Sequence, residues 1–253
     1  MAHILLTGSA GAIGRRIGPH LLEAGHTVRG YDRSPTEWVE DAVTADLTDR
    51  AAMAGALDGI DTVIHLAANP LGKTPFAELV QPNYVGPRQL VELAAEAGSL
   101  QRLILASTIQ VYNGHKDLPQ AQRAELGGME DVAPANDYGL SKVWLEHLGK
   151  WSARRYGWSV LAVRIGWFVR DDDERAALAA KPRTHGWYFS HDDARSFFRA
   201  AVEADYSGFR VVNAVSKPPP GRANCSLRPA ADTLGWHPRD AWPSAPAPAA
   251  PPH

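Results

Sequence analysis

The sequence predicts an α/β fold, a doubly wound parallel sheet with helices on both faces and a small C-terminal lobe. Three observations lead there. Short, nearly continuous apolar runs alternate with segments of helical periodicity. Runs of that kind suit strands covered on both faces. The first run opens directly into a glycine-rich turn, Thr7-Gly8-Ser9-Ala10-Gly11-Ala12-Ile13-Gly14.

The elements follow in order. Ile4 to Thr7 reads as the first strand, and Ile13 to Ala24 as a helix with Ile13, Ile17, Leu21 and Leu22 near helical spacing, ended by Gly25. Thr27 to Tyr31 is a second strand with Asp32 at its carboxyl end, and Leu47 to Leu57 a second helix. Thr62 to Leu66 is a third strand, Pro87 to Ala97 a third helix and Leu103 to Ala106 a fourth strand. Asn136 to Tyr156 is a long helix carrying Tyr138 and Lys142, and Ser159 to Ile165 a further strand. These divide the chain into a main domain at 1–166, a small substrate-binding region at 167–242 and a Pro/Ala-rich disordered tail at 243–253.

Composition narrows the function classes. Apolar residues make up 45% and charged residues 21%, with a net charge of -2, which gives no broad basic footprint for nucleic acid or an anionic membrane. No apolar run is long enough to span a bilayer, and the start has no basic region followed by a long apolar one, so neither a membrane nor a signal peptide is expected. Cys225 stands alone, which excludes a disulfide framework within the chain and suits a reducing cytoplasm.

Glycines spaced three apart let the backbone approach a pyrophosphate, while the following helix presents unpaired N–H groups and the positive end of its dipole. Gly8, Gly11 and Gly14, with Ala10, Ala12 and Ile13 between them, follow a strand and open a helix, and Asp32 ends the next strand. That context is the one a dinucleotide fingerprint requires. Asp32 is expected to accept hydrogen bonds from the adenosine ribose. Its charge repels a 2′-phosphate and so favours NAD over NADP, a preference that Arg33 softens.

Tyr138 and Lys142 stand at i and i+4, on one helix face. A phenol with a pKa near 10 is a poor base at neutral pH, and a nearby ammonium is expected to lower it. The pair then supplies a general base for a substrate hydroxyl, and Lys142 can also hold the nicotinamide ribose. The spacing alone also fits a solvated helix face. It gains weight from Ser107 and Thr108, hydroxyls at the carboxyl end of the fourth strand, where α/β ligands bind.

Together these residues resemble the extended short-chain dehydrogenase/reductase superfamily, the NAD-dependent epimerase/dehydratases, over roughly residues 3 to 240. The resemblance implies a Rossmann fold, an NAD cofactor and a sugar-like substrate. It implies that Asp46 and Leu47 contact adenine, that Leu66, Ala67 and Ala68 lie against the dinucleotide with Ile165 beside it, and that Asn83 supports the site. Ser107-Thr108-Ile109-Gln110-Val111-Tyr112 is similar to the family's Ser-Ser-x-x-Val-Tyr-Gly, with Thr108 at the catalytic hydroxyl and Ser107 beside it. Within the superfamily the chain is most similar to uronate dehydrogenases, through Arg164-Ile165-Gly166, Trp187-Tyr188-Phe189-Ser190-His191-Asp192-Asp193 and Leu234-Gly235-Trp236-His237-Pro238. It departs from them at Trp167, where they carry Ser, and at Ile109-Gln110, where they carry Asn-His.

The substrate candidates are Asn69, Lys73, Ile109, Gln110, Trp167 and Arg175, the last as a partner for a carboxylate, with Arg170 and Arg183 as alternatives. Trp187 and Tyr188 suit either a pocket wall or the core. His191-Asp192-Asp193 lacks a second His or Cys at ligand spacing, so no metal is expected and an Asp there caps a helix starting near Ala194. The expected activity is hydride transfer between a sugar or sugar-acid hydroxyl and NAD. A nucleotide-sugar epimerase or dehydratase and a non-catalytic dinucleotide sensor are the alternatives. A homo-oligomer through the helices 87–97 and 136–156 is expected from the family.

Overall fold

The computed structural model describes residues 1–242. The tail expected at 243–253 lies outside the described residues. The first half of the chain runs through β1 (His3–Thr7), α1 (Gly14–Glu23), β2 (Thr27–Asp32), β3 (Ala42–Thr44), α2 (Arg50–Ala56), β4 (Thr62–His65), α3 (Phe76–Leu79), α4 (Gly86–Ala97) and β5 (Arg102–Thr108). After it come α5 (Gln120–Arg123), α6 (Asp137–Tyr156), β6 (Ser159–Ile165), β7 (Trp167–Phe168), α7 (Asp172–Ala179), β8 (Tyr188–Phe189), α8 (His191–Glu203), β9 (Phe209–Ala214) and α9 (Arg228–Leu234).

Among the described residues one seven-stranded sheet runs β3-β2-β1-β4-β5-β6-β9, parallel throughout. Its order reverses between β1 and β4, which opens a crevice at their carboxyl ends. Register brings the site residues level there, with Thr7 beside His65 and Thr108 beside Ile165. Alternating side chains cover the two faces. Ile4, Leu6, Ile64 and Val163 pack with Ile17 of α1 and Phe197 of α8, while Leu5, Val63, Leu105 and Val160 pack with Met53 of α2, Leu90 of α4 and Leu145 of α6.

Several boundaries differ from expectation for local reasons. Asp49 accepts from Ala52 N–H at 3.0 Å, so α2 starts after this cap and Leu47 lies buried before it. Asn136 is the cap of α6 rather than its first residue. The helix expected near Ala194 begins at His191, and its cap is Ser190, whose Oγ accepts from Asp193 N–H at 2.9 Å. Asp193 is instead buried, accepting from Ser216 Oγ at 2.6 Å and from Arg239 N–H at 2.8 Å, which ties the end of the described chain to α8.

The region 167–242 is only partly a separate lobe. Its β9 extends the main sheet beside β6, and its α8 packs against α1. A minor cluster of Val111, Tyr112, Leu126, Val215 and Cys225 joins it to the loops after β5, with Cys225 a free buried thiol. No helix among the described residues is long and apolar enough to cross a membrane.

Candidate active site

The glycine turn after β1 is built for close approach. Gly8 adopts φ 76°, its N–H reaches Tyr31 O at 2.8 Å, and Gly11 N–H returns to Gly8 O at 3.0 Å. A Cβ on Gly14 would come 2.3 Å from Gly8 O, and one on Gly8 would come 2.8 Å from Ala67 N. Helix α1 then starts without a side-chain cap or an acidic residue in its first turn, with Arg15 and Arg16 exposed. An uncapped, acid-free N-terminus favours an anion. A cavity of about 540 Å³ flanks this turn, lined by Ala10, Ala12, Arg15, Arg16, Phe168, Val169, Arg170 and His191.

Asp32 is half-buried and accepts from Ala10 N–H at 3.1 Å and from Ser34 N–H at 3.0 Å. It thereby anchors the turn. Arg33 is exposed. The Asp46 carboxylate turns toward Thr48, whose hydroxyl at 2.6 Å and N–H at 2.9 Å hold its pKa below the usual range. Leu66, Ala67 and Ala68 are half-buried where β4 ends. Asn83 is buried, accepts from Asn69 N–H at 2.8 Å and donates to Ser141 Oγ at 3.0 Å.

The β5 end divides the two expected hydroxyls. Successive strand residues face opposite sides. Ser107 donates to Glu146 Oε1 at 2.6 Å and so is turned into a buried network; its expected role at the substrate oxygen is corrected accordingly. Thr108 faces the Tyr138 phenol, and its Oγ1 accepts from Gln110 N–H at 3.2 Å. Tyr138 and Lys142 are both buried on α6, with the Lys142 ammonium nitrogen 5.8 Å from the Tyr138 ring centre.

The electrostatics differ from expectation. Burial pushes the Tyr138 phenol up to about 12, only partly offset by its hydrogen bond with Thr108. Burial also drives Lys142 down to about 7. Desolvation leads at both groups and penalises both charged forms, so the phenol stays above its ordinary value in this state. Below them His65, buried on β4, shares a 2.7 Å hydrogen bond with Thr7 Oγ1, and its Nε2 has no partner. Burial, with the Lys142 charge second, brings His65 down to about 3.

Around this centre lie the other candidates. Gln110 Oε1 accepts from Asn136 Nδ2 at 2.9 Å. Asn69 Oδ1 accepts from Thr74 Oγ1 at 3.2 Å and so shapes its own loop, while Lys73 is exposed. Ile109 packs against the minor cluster. Trp167 pairs with Tyr188 between β7 and β8 and packs with Val169, Leu178 and Trp242. Trp187 stacks on Tyr112 at 6.0 Å. Arg175 lies on α7, 6.0 Å from the Trp242 ring centre, and Arg170 is hydrogen-bonded to Glu174 at 2.7 Å. Arg183 is exposed. Sequence reasoning missed Asn136, His65, Glu146 and Arg164. Glu146 carried a signal, since it continues the Tyr138–Lys142 face by one more i+4 step.

The residues fit a dinucleotide. The turn has no room for a Cβ, its helix is uncapped, and the partnerless His65 Nε2 lies beneath Lys142, which makes no ion pair among the described residues. A mononucleotide cradle at the switch point, with a tyrosine and a lysine on the neighbouring helix, defines a dinucleotide-dependent short-chain oxidoreductase scaffold. The chain belongs to the NAD dependent epimerase/dehydratase family, whose model matches residues 4–168. It is 33% identical to L-arabinose 1-dehydrogenase (NAD(P)(+)) of Haloferax volcanii, over 95% of this chain and 97% of that protein. It is 30% identical to NAD-dependent glucose-6-phosphate dehydrogenase of the same organism, over 94% and 93%. The crystal structure of uronate dehydrogenase from Agrobacterium tumefaciens, a tyrosine-to-alanine mutant complexed with NAD, is 28% identical with a TM-score of 0.77, covering 95% of this chain and 85% of that one.

Proposed function

We propose that the protein is an NAD-dependent dehydrogenase acting on a hydroxyl of a sugar or sugar acid. The observation that carries the reading is Thr108 facing Tyr138, with Lys142 one turn on, at the carboxyl ends of strands that also present the glycine cradle. NAD, when bound, supplies the two-electron acceptor and a fixed positive charge. A positive charge bound beside Tyr138 would favour its phenolate, which burial alone disfavours. The phenolate takes the substrate hydroxyl proton while the Thr108 O–H donates to the same oxygen. Lys142 would hold the nicotinamide ribose, Asp32 the adenosine ribose, and the turn Gly8–Gly14 the pyrophosphate. Asn83 fixes the loop that begins at Asn69, and Leu66–Ala68 with Ile165 would flank the cofactor.

The substrate class follows from the relatives, which are named for arabinose and glucose 6-phosphate. Oxidation of a ring-closed aldose or hexuronate at its anomeric hydroxyl yields a lactone. The test is NADH absorbance on a panel of aldoses, aldose phosphates and hexuronates. Turnover with Tyr138→Phe should fall by at least about 100-fold with NAD affinity retained. Binding of NAD with no NADH on any member would sink the reading.

We further read the protein as cytoplasmic, since its cysteine is free and buried. We read it as a homo-oligomer through the exposed apolar residues Leu140 and Trp151 of α6 together with Phe76 and Val85.

A further inference from the structure

We propose that Gln110 and Asn136 form a clasp that sets the gap between Thr108 and Tyr138, so that both are positioning residues rather than substrate contacts. The inference rests on the reading of Thr108 and Tyr138 as the reacting pair. Asn136 caps α6, its Oδ1 accepting from Gly139 N–H at 2.7 Å. A backbone N–H can only donate, so this bond fixes which end of the Asn136 amide is which. Its Nδ2 is therefore directed at Gln110 and must meet an oxygen there, which fixes the Gln110 amide in turn at 2.9 Å.

Gln110 holds the other half as well. Its own N–H donates to Thr108 Oγ1 at 3.2 Å, which leaves the Thr108 O–H to serve the site. One residue thus grips the hydroxyl at the end of β5 through its backbone and the first turn of the Tyr138 helix through its side chain. The surroundings have closed on the bond. A Cβ on Gly139 would come 3.1 Å from Gln110 O, and one on Gly72 would come 2.9 Å from Gln110 Oε1 and 3.1 Å from Asn136 Nδ2. The loop from β4 and the start of α6 both approach the clasp at glycines, where a larger residue would pry it apart. A misplacement of about 1 Å between reacting groups costs on the order of 100-fold in rate, so such a fixed spacing has kinetic consequences.

The experiment compares Gln110→Met, which keeps length and loses the acceptor, with Asn136→Ser, which keeps a cap and loses the reach. Each should lower kcat about 10- to 100-fold while KM for the sugar changes less than about threefold. The double variant should be no slower than either single one. Asn136→Asp should restore most of the rate, because Gln110 can turn its NH₂ toward the carboxylate while the cap persists. Independently of turnover, the Tyr138 resonance of ¹³C-tyrosine-labelled protein, assigned by its absence in Tyr138→Phe, should shift in Gln110→Met and Asn136→Ser and stay in Asn136→Asp. An unmoved resonance in both, or a loss confined to KM, overturns the clasp. A wild-type protein without turnover would overturn the functional reading instead, with the resonance still deciding the clasp. If Gln110→Met fails to fold, Asn136→Ser with Asn136→Asp carries the same decision.

Discussion

Lys142 is nearly as buried as any charged side chain in the described chain. Its amine titrates near 7 folded and at 10.5 unfolded. Between those values the unfolded chain carries a proton that the folded chain lacks, so stability rises with pH across the window and is lost as pH falls toward 7. Lys142→Met should therefore raise the melting temperature at pH 7 while abolishing turnover, and the gain should shrink as pH approaches 10; calorimetry over that range checks it. His65 adds an acid-side counterpart. Folded at about 3 against 6.5 unfolded, it contributes stability that is lost as pH falls through 6.5 toward 3. His65→Gln should flatten that part of an acid denaturation curve. At this scale the Tyr138–Lys142 spacing and the glycines were legible because they are local patterns. The family resemblance already put Thr108 at the reacting position; where Ser107 goes was not legible, because it depends on Glu146 of α6 claiming the serine.

At the scale of elements, one buried network joins α6, β5, β6 and β9. Arg164 donates to both Glu146 oxygens at 2.8 and 2.7 Å, to Tyr112 Oη at 2.6 Å and to Gly128 O at 2.9 Å, and Tyr112 donates to Asn213 at 2.9 Å. Burial alone would loosen the Arg164 proton, but the Glu146 hydrogen bonds and charge raise its pKa instead. Removing one partner leaves the other charge uncompensated in the interior. Arg164→Met should cost about 3–5 kcal/mol in urea unfolding, whereas Glu146→Leu combined with Arg164→Met should recover much of it. If the single variant costs no more than the double one, the ion pair is not the joint it looks to be. The strands β1, β4, β5 and β6 were legible as apolar runs, since both of their faces are covered. The short β7 and β8 and the helix α7 were not, because Trp167 and Leu178 find their partners only across the fold, in Tyr188 and Trp242.

At the scale of the whole molecule, the carboxyl ends of the central strands gather the glycine turn and the start of α6 on either side of one crevice. A ligand held there binds only the folded chain. NAD at 100 times its Kd should stabilise by about 2.7 kcal/mol, raising the melting temperature by about 5–10 °C. An unchanged transition in saturating NAD would argue that the cradle is closed. The oligomer reading belongs here too. Trp151→Asp should lower the sedimenting mass to that of one chain without altering NAD affinity. The C-terminal half was the least legible, because β9 gains its place from β6 rather than from its own pattern, and α8 gains its place from α1.

Cys225 gives that assembly an internal clock. The thiol is 3% exposed, and burial pushes its pKa up to about 12. Only the thiolate attacks a disulfide reagent, expelling the reagent's other sulfur as a thiolate, so labelling must wait for the cluster of Val111, Tyr112, Leu126 and Val215 to part. Being the sole sulfhydryl in the sequence, it reports that parting without interference, and its modification rate reads how often the loops beside the crevice breathe.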